Sequence, residues 1–192
     1  AVPEDRRYLQ SLTTEQAEVL QNHFANAYLL DSGSVVTAAG LQPEIQVLET
    51  RTLQRATSSK QFLMVFGEYL PWLYRGVGHV FGLEDVIREL DAEHRYVTEP
   101  PAALSAAGIR IAVRLCSDAM SPSLYAQDTA AGAGILFNLA SHGWFHQSRT
   151  LHELAVRVGQ VRAVESGRWY VRAGNDSPAV VLDHRGTVVI EQ

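Results

Sequence analysis

From about Thr13 to Leu30 the apolar residues Ala17, Leu20, Phe24 and Ala27 return at helical spacing, which predicts an amphipathic helix lying on a sheet. Thr13 and Gln16 are placed for a capping box at its start, and Asp31-Ser32-Gly33 ends the run. Ser34 to Ala38 reads as a short strand. In residues 41–59, Ile45, Val47 and Thr52 point to a hairpin without settling it. The stretch Gly67-Glu68-Tyr69-Leu70-Pro71-Trp72-Leu73-Tyr74 is rich in aromatics and broken by proline, so it reads as a packed loop. Glu84 to Leu90 predicts a short helix, and Glu99-Pro100-Pro101 then breaks the chain.

The second half is more regular. Ile109, Ile111, Val113 and Leu115 alternate with Arg110, Ala112 and Arg114, the period of a strand, whose end delivers Cys116-Ser117-Asp118. Gly134 to Leu139 is a continuous apolar run interrupted only by Asn138, as expected of a strand covered on both faces. Thr150 and Glu153 have capping-box spacing. Leu151, Leu154, Ala155, Val158 and Val161 then form a helical stripe that stops at Gly167. Trp169 to Ala173 and Pro178 to Asp183 read as strands, and Asp183-His184-Arg185-Gly186 supplies a turn before Thr187 to Ile190. Strands interleaved with helices able to cover sheet faces predict a layered α/β or α+β fold over residues 1–192, taken as a single domain.

Composition changes this picture little. A chain of 192 residues, 46% hydrophobic and 19% charged, is long enough for one domain with a real core. A net charge of -5 without a basic stripe argues against nucleic acid as a partner. No window approaches eighteen uncharged apolar residues, so no membrane span is expected, and the opening Ala-Val-Pro-Glu does not read as a signal peptide.

The single cysteine, Cys116, excludes an internal disulfide and leaves two readings open: a small buried apolar residue, or a reactive thiolate. A thiolate nucleophile needs a proton acceptor and a cation to steady developing negative charge. The chain offers carboxylates at Glu4, Glu68 and Asp118 and an ammonium at Lys60, of which only Asp118 is close to Cys116 in sequence. His142, His146 and His152 are loosely clustered, but at no established zinc spacing, so no metal is expected. Arg162 and Glu165 are set for an intrahelical pair.

The block Lys60-Gln61-Phe62-Leu63-Met64-Val65-Phe66-Gly67-Glu68-Tyr69-Leu70-Pro71 resembles the lysine segment of the apolipoprotein N-acyltransferases, whose Phe-Gly-Glu-Tyr separates them from most soluble amidases. Val2-Pro3-Glu4 is similar to the family's Trp-Pro-Glu, and Asn138 to Phe145 resembles its Asn-Leu-Ser/Thr-Asn-Asp-Gly-Trp-Phe segment. Arg162 to Arg168 and Val171 to Asn175 are similar to the helix-and-strand block that follows, so the likeness runs along most of the chain, with residues 5–59 carrying almost none of it.

The resemblance implies a four-layer α-β-β-α nitrilase-like sandwich. Residue by residue it implies Glu4 as general base, Lys60 as oxyanion-stabilising cation, Cys116 as nucleophile and Glu68 as the carboxylate that supports the lysine. The Ser117 N–H is implied as a second oxyanion donor, with Asp118 in a supporting place. Leu70, Trp72, Leu73, Tyr74 and Phe81, with Trp144, are implied as an apolar rim for acyl chains. The implied reaction moves an acyl group from a phospholipid through a cysteine thioester to the α-amine of a diacylglyceryl lipoprotein, without a cofactor. It is placed on the periplasmic face of the bacterial inner membrane, through membrane segments of a parent chain. Two other readings stand beside it: a soluble amidase or nitrilase with the same Glu-Lys-Cys set, and an inactive scaffold of the same fold.

Four departures from the family pattern bear on these expectations. Val65 stands where a proline is usual, Cys116-Ser117-Asp118 where Cys-Tyr/Trp-Glu is usual, His142 where an acidic residue is usual, and His146 where a small one is. Glu4 lies almost at the start and Gln192 ends early, so the sandwich is expected to be incomplete at the N-terminus, lacking an edge or central strand.

Overall fold

The computed structural model describes residues 19, 27–37, 40–52, 54–65, 67–93, 96, 98, 101–143 and 148–192. Strands β1 (Tyr28–Thr37), β2 (Gly40–Glu49) and β3 (Arg55–Ser59) form an antiparallel sheet in chain order. Six further strands form a mixed sheet, also in chain order: β4 (Leu104–Ala106), β5 (Ile109–Leu115), β6 (Ile135–Ser141), β7 (Trp169–Asn175), β8 (Val180–Leu182) and β9 (Val188–Glu191). Within it β5, β6 and β7 are parallel, and the flanking pairs are antiparallel. The helices are α1 (Trp72–Val80), α2 (Glu84–Glu93), α3 (Pro122–Ala130) and α4 (Arg149–Ser166), with a 3₁₀ turn at Cys116–Met120.

Two cores follow from the alternation of the central strands. Ile111, Val113 and Leu115 of β5 meet Ile45 and Val47 of β2 and Leu104 of β4, which joins the two sheets face to face. On the opposite face Ala112, Leu136 and Tyr170 pack with Tyr125 of α3 and Ala163 of α4. Both faces of β2 are buried, with Ile45 and Val47 towards the large sheet and Gln42, Glu44 and Gln46 on the reverse. The architecture is an α+β sandwich of the nitrilase-like α-β-β-α type. The helix expected outside the small sheet falls mostly beyond the described residues, although Val19 within it is helical.

Several expectations need correction. Tyr28 to Leu30 were assigned to the end of the first helix, and Asp31-Ser32-Gly33 to its stop; instead all six residues lie inside β1, paired one for one with Glu49 to Glu44 of β2. Cross-strand pairing there outweighs the local turn chemistry. The aromatic stretch is a loop only to Pro71; Trp72 opens a helix, because proline is tolerated ahead of the first turn. Helix α4 takes its cap from Ser148, whose Oγ accepts from the Leu151 N–H at 3.4 Å, while Glu153 binds the Arg149 side chain. Its predicted end holds: Gly167 sits at φ +60, where a side chain would be strained. Arg162 and Glu165 do pair, at 3.2 Å.

Candidate active site

Parallel strands β5, β6 and β7 all end on one edge of the large sheet, the edge at which open α/β sheets present ligands. Cys116 is the first residue past β5 and adopts φ +43, a left-handed conformation that a residue with a Cβ rarely takes. The conformation is held by its neighbours. The Asn138 amide, one strand over, donates to the carbonyls of Arg114 and Cys116, both at 3.3 Å. The chain then turns into the 3₁₀ segment, leaving the cysteine partly exposed at the sheet edge.

Two residues on, Asp118 is fully buried. Its Oδ2 accepts from the Leu115 N–H at 3.0 Å, and its Oδ1 accepts from the N–H groups of Gln61 and Phe62 at 3.1 and 2.6 Å. The Ser117 hydroxyl donates to the Phe62 carbonyl at 2.8 Å. Four hydrogen bonds therefore stitch the cysteine turn to itself and to the lysine segment that follows β3. Burial raises the Asp118 pKa, while the N–H donors and the nearby Arg114 oppose that rise.

The lysine segment is as tightly specified. Ser58 faces the large sheet, where its Oγ accepts from the Ala102 N–H at 3.2 Å, so by strand alternation Lys60 extends towards that sheet as well. Lys60 is 2% exposed and its Nζ donates to Glu68 Oε1. The other oxygen of Glu68 accepts from the Met64 N–H at 2.8 Å, which closes the loop on itself. Lys60 and Glu68 both act on Cys116. Burial pushes the thiol above its ordinary value; the Lys60 charge and the Ser117 N–H pull it down, and the charges of Glu68 and Asp118 push it up.

Of the residues singled out from sequence, Lys60, Glu68, Cys116, Ser117 and Asp118 gather at this edge. Glu4 and Trp144 lie outside the described residues. The rim residues divide. Leu70 is buried, whereas Trp72, Leu73, Tyr74 and Phe81 are 81%, 55%, 48% and 73% exposed, on and just beyond α1. At about 100° per residue, Leu73, Tyr74, Val77, Val80 and Phe81 fall within one arc of roughly 120°, and Trp72 lies off it. The α1–α2 excursion leaves the site at Glu68 and returns to it, since the Tyr96 N–H donates to the Glu68 carbonyl at 3.2 Å.

Sequence reasoning missed the polar row behind the cysteine. Arg114, Asn138 and Arg172 are paired across β5, β6 and β7 and are all at least 97% buried on the helix-facing side. The alternation in β5 set Arg114 on the face opposite Ile111, Val113 and Leu115, where it forms a bidentate pair with Asp128 of α3, at 2.8 and 2.7 Å. The available signal was a polar residue set among apolar neighbours in each of three strands: Arg114, Asn138 and Arg172. Beyond the row, a cavity of about 240 Å³ opens between the ends of β6 and β7, lined by His142, Arg149, His152, Asp176 and Ser177 among others.

No family model matches the chain. Among curated proteins it is similar to apolipoprotein N-acyltransferases. The one from Pseudomonas putida is 31% identical over 140 residues, covering 70% of this chain and 26% of the relative. The one from Pseudomonas aeruginosa PAO1 is 33% identical over 141 residues, covering 69% and 25%. The chain thus spans about a quarter of the length of these relatives. Among solved structures, the carbon–nitrogen hydrolase from Helicobacter pylori G27 superposes with a TM-score of 0.70 at 10% identity, covering all of this chain and 64% of that one. An amidase from Nesterenkonia sp. superposes at 0.56 with 17% identity, covering 93% and 64%. These structural likenesses are of fold.

Proposed function

Since the chain is a nitrilase-like carbon–nitrogen hydrolase domain related to apolipoprotein N-acyltransferases, we propose that Cys116 is the nucleophile of an acyl-transfer reaction that proceeds through a thioester. The observation that carries this reading is the buried Lys60 ammonium, fixed by Glu68 and acting electrostatically on the Cys116 sulfur. A cation pre-positioned out of water stabilises a tetrahedral oxyanion strongly, because nothing has to reorganise as charge develops.

In the first step the Cys116 thiolate attacks the carbonyl of an acyl ester. The carbon–sulfur bond forms, the ester carbon–oxygen bond breaks, and the departing alkoxide takes the proton that the base removed from the thiol. In the second step an amine attacks the thioester; the thiolate leaves and the amine's proton passes to a base. Glu4 is our candidate for that base, Lys60 and the Ser117 N–H for the oxyanion site, and Asp118 for the residue that holds the two segments together. The donor we favour is a phospholipid and the acceptor the α-amine of a diacylglyceryl lipoprotein, with the reaction on the periplasmic side of the inner membrane. The exposed apolar arc of α1, which begins beside Glu68, supports a lipid donor, because an apolar patch of this kind fits acyl chains or a bilayer surface. No helix among the described residues is long and apolar enough to cross a membrane.

Hydrolysis is the second reading, favoured by the likeness of fold to an amidase and a carbon–nitrogen hydrolase: water then takes the amine's place and no lipid is needed. One experiment separates the two. The chain is incubated with phospholipid vesicles or with small aliphatic amides, followed by intact-mass measurement and assay of released acid. A fatty-acyl adduct that forms from vesicles and is lost in Cys116→Ala supports the transferase. Acid released from amides without lipid supports the hydrolase. Equal adducts on wild type and Cys116→Ala would remove the cysteine from either mechanism.

A further inference from the structure

Arg172 is the conspicuous charge that the proposed reaction leaves unused. It sits on β7 in register with Asn138, whose amide holds the Cys116 carbonyl, and it is 97% buried. Its Nη2 donates to His142 Nε2, and its Nη1 is buried without a hydrogen-bond partner. No carboxylate among the described residues pairs with it, in contrast to Arg114 in the same row with Asp128. A buried guanidinium in this condition is costly unless an anion is close.

His142 explains why the charge stands uncompensated. The guanidinium always donates, so His142 Nε2 has to accept, and the remaining ring hydrogen on Nδ1 goes to Ser177 Oγ. Burial, then the charges of Arg172 and His152, depress the His142 pKa to about 4, so the ring is neutral at ordinary pH and contributes no negative charge. The family resemblance leads one to expect an acidic side chain at this position. With a carboxylate there, Arg172 would be neutralised by its neighbour.

We propose that Arg172 is a positioning residue of the cysteine site, a buried cation left unneutralised by His142 so that its charge favours the Cys116 thiolate from behind the sheet edge. The inference rests on Cys116 being the nucleophile, as proposed above. The thiolate charge is among the influences that raise the Arg172 pKa against the lowering by burial. Arg172 is not among the groups that move the thiol most, so its role is secondary to that of Lys60. The other charges that bear on this region are Lys60, Glu68 and Asp118 at the front, and Arg114 with Asp128 on the helix side. Among the described residues, His142 and His152 lie towards the cavity, which Arg149 and Asp176 also line, and Arg162 of α4 lies in the helix layer.

The test is alkylation of Cys116 by iodoacetamide across pH, read by intact mass; it needs no lipid and no acyl transfer. Cys116 is the only cysteine, so the adduct is unambiguous. Arg172→Gln should slow alkylation about threefold at neutral pH by moving the rate profile to higher pH, and Arg172→Lys should restore most of it. His142→Asp should move the profile the same way while raising Tm, and His142→Gln, which adds no charge, should leave it in place. A folded Arg172→Gln with the wild-type profile would overturn the proposal. If that variant does not fold, an unmoved profile in His142→Asp overturns it equally. A shift in these variants alongside an absent acyl adduct would retain the role of Arg172 and remove the proposed function alone.

Discussion

At the cysteine edge, the polar atoms of Asp118, Ser117 and Glu68 are matched to partners one by one; in α1 and just beyond it, Leu73, Val77, Val80 and Phe81 are exposed. The two regions meet at Glu68, whose carboxylate serves the first and whose carbonyl anchors the return of the second. Asp118 accepts three N–H donors and Ser117 secures a carbonyl, so a displacement of the lysine segment relative to the cysteine breaks several bonds at once. In α1 only Gly78 is buried, against Ile87 of α2, where an added Cβ would come within 2.6 Å of that side chain. Chemistry at a carbonyl depends on sub-ångström placement, whereas contact with acyl chains is tolerant and depends on area. The contrast therefore fits the function proposed above, in which the first region carries the chemistry and the second meets acyl chains.

The largest effect expected from breaking this contrast comes from Asp118→Ala. It leaves three N–H groups around the cysteine turn without their acceptor, and at about 1–3 kcal/mol for each unsatisfied donor, partly relieved by water, the loss should be about 3–5 kcal/mol. Urea denaturation measures it, and a loss below about 1 kcal/mol would mean that the turn does not depend on this carboxylate. Asp118→Asn, which keeps one acceptor oxygen, should fall between the two proteins.

The second region should respond in the opposite way. Leu73→Ser combined with Phe81→Ser removes exposed side chains, so stability should change by less than about 1 kcal/mol. Vesicle binding should nevertheless weaken at least about tenfold, because each apolar side chain transferred from water contributes about 1.5–3 kcal/mol. Co-sedimentation with phospholipid vesicles and thermal denaturation give the two readouts. A variant that binds vesicles as wild type does would detach the apolar arc from lipid contact.

The same contrast governs what could be read from sequence. Strands β5, β6 and β7 and the extent of helix α4 were legible, and Gly167 marks its cap by conformation alone, but the stripe read for α4 is not its buried face: Leu151, Leu154 and Val161 are exposed, while Gly159, Arg162 and Ala163 are buried. The boundary at Tyr28 was misread because a helical spacing of apolar residues ran into a segment whose partner strand lies beyond Thr37. Lys60, Glu68 and Cys116 were found through motif likeness, since residues 56 apart carry no local sign of convergence. Arg172 escaped notice because a polar residue in a strand ordinarily marks a solvent-facing position. Here α4 and the neighbouring strands cover that face, and only tertiary packing reveals the charge as buried.

The smallest effect, and the one that sharpens the contrast at its meeting point, is expected from Glu68→Gln. Removing this carboxylate eliminates a charge that raises the Cys116 pKa while leaving the Lys60 charge that lowers it, so the thiolate should become more abundant at a given pH. Alkylation at neutral pH should quicken roughly threefold. The amide has only one acceptor oxygen, yet the carboxylate serves two donors, Lys60 Nζ and the Met64 N–H. One of them must lose its partner, so Lys60 is less firmly aimed and acyl-adduct formation should fall even as the thiol becomes more reactive. Those two rates moving in opposite directions would separate the electrostatic action of Glu68 on the thiol from its positional action on the lysine. Slower alkylation would show that Glu68 reaches Cys116 only through the placement of Lys60, and the sign assigned to its charge would be wrong.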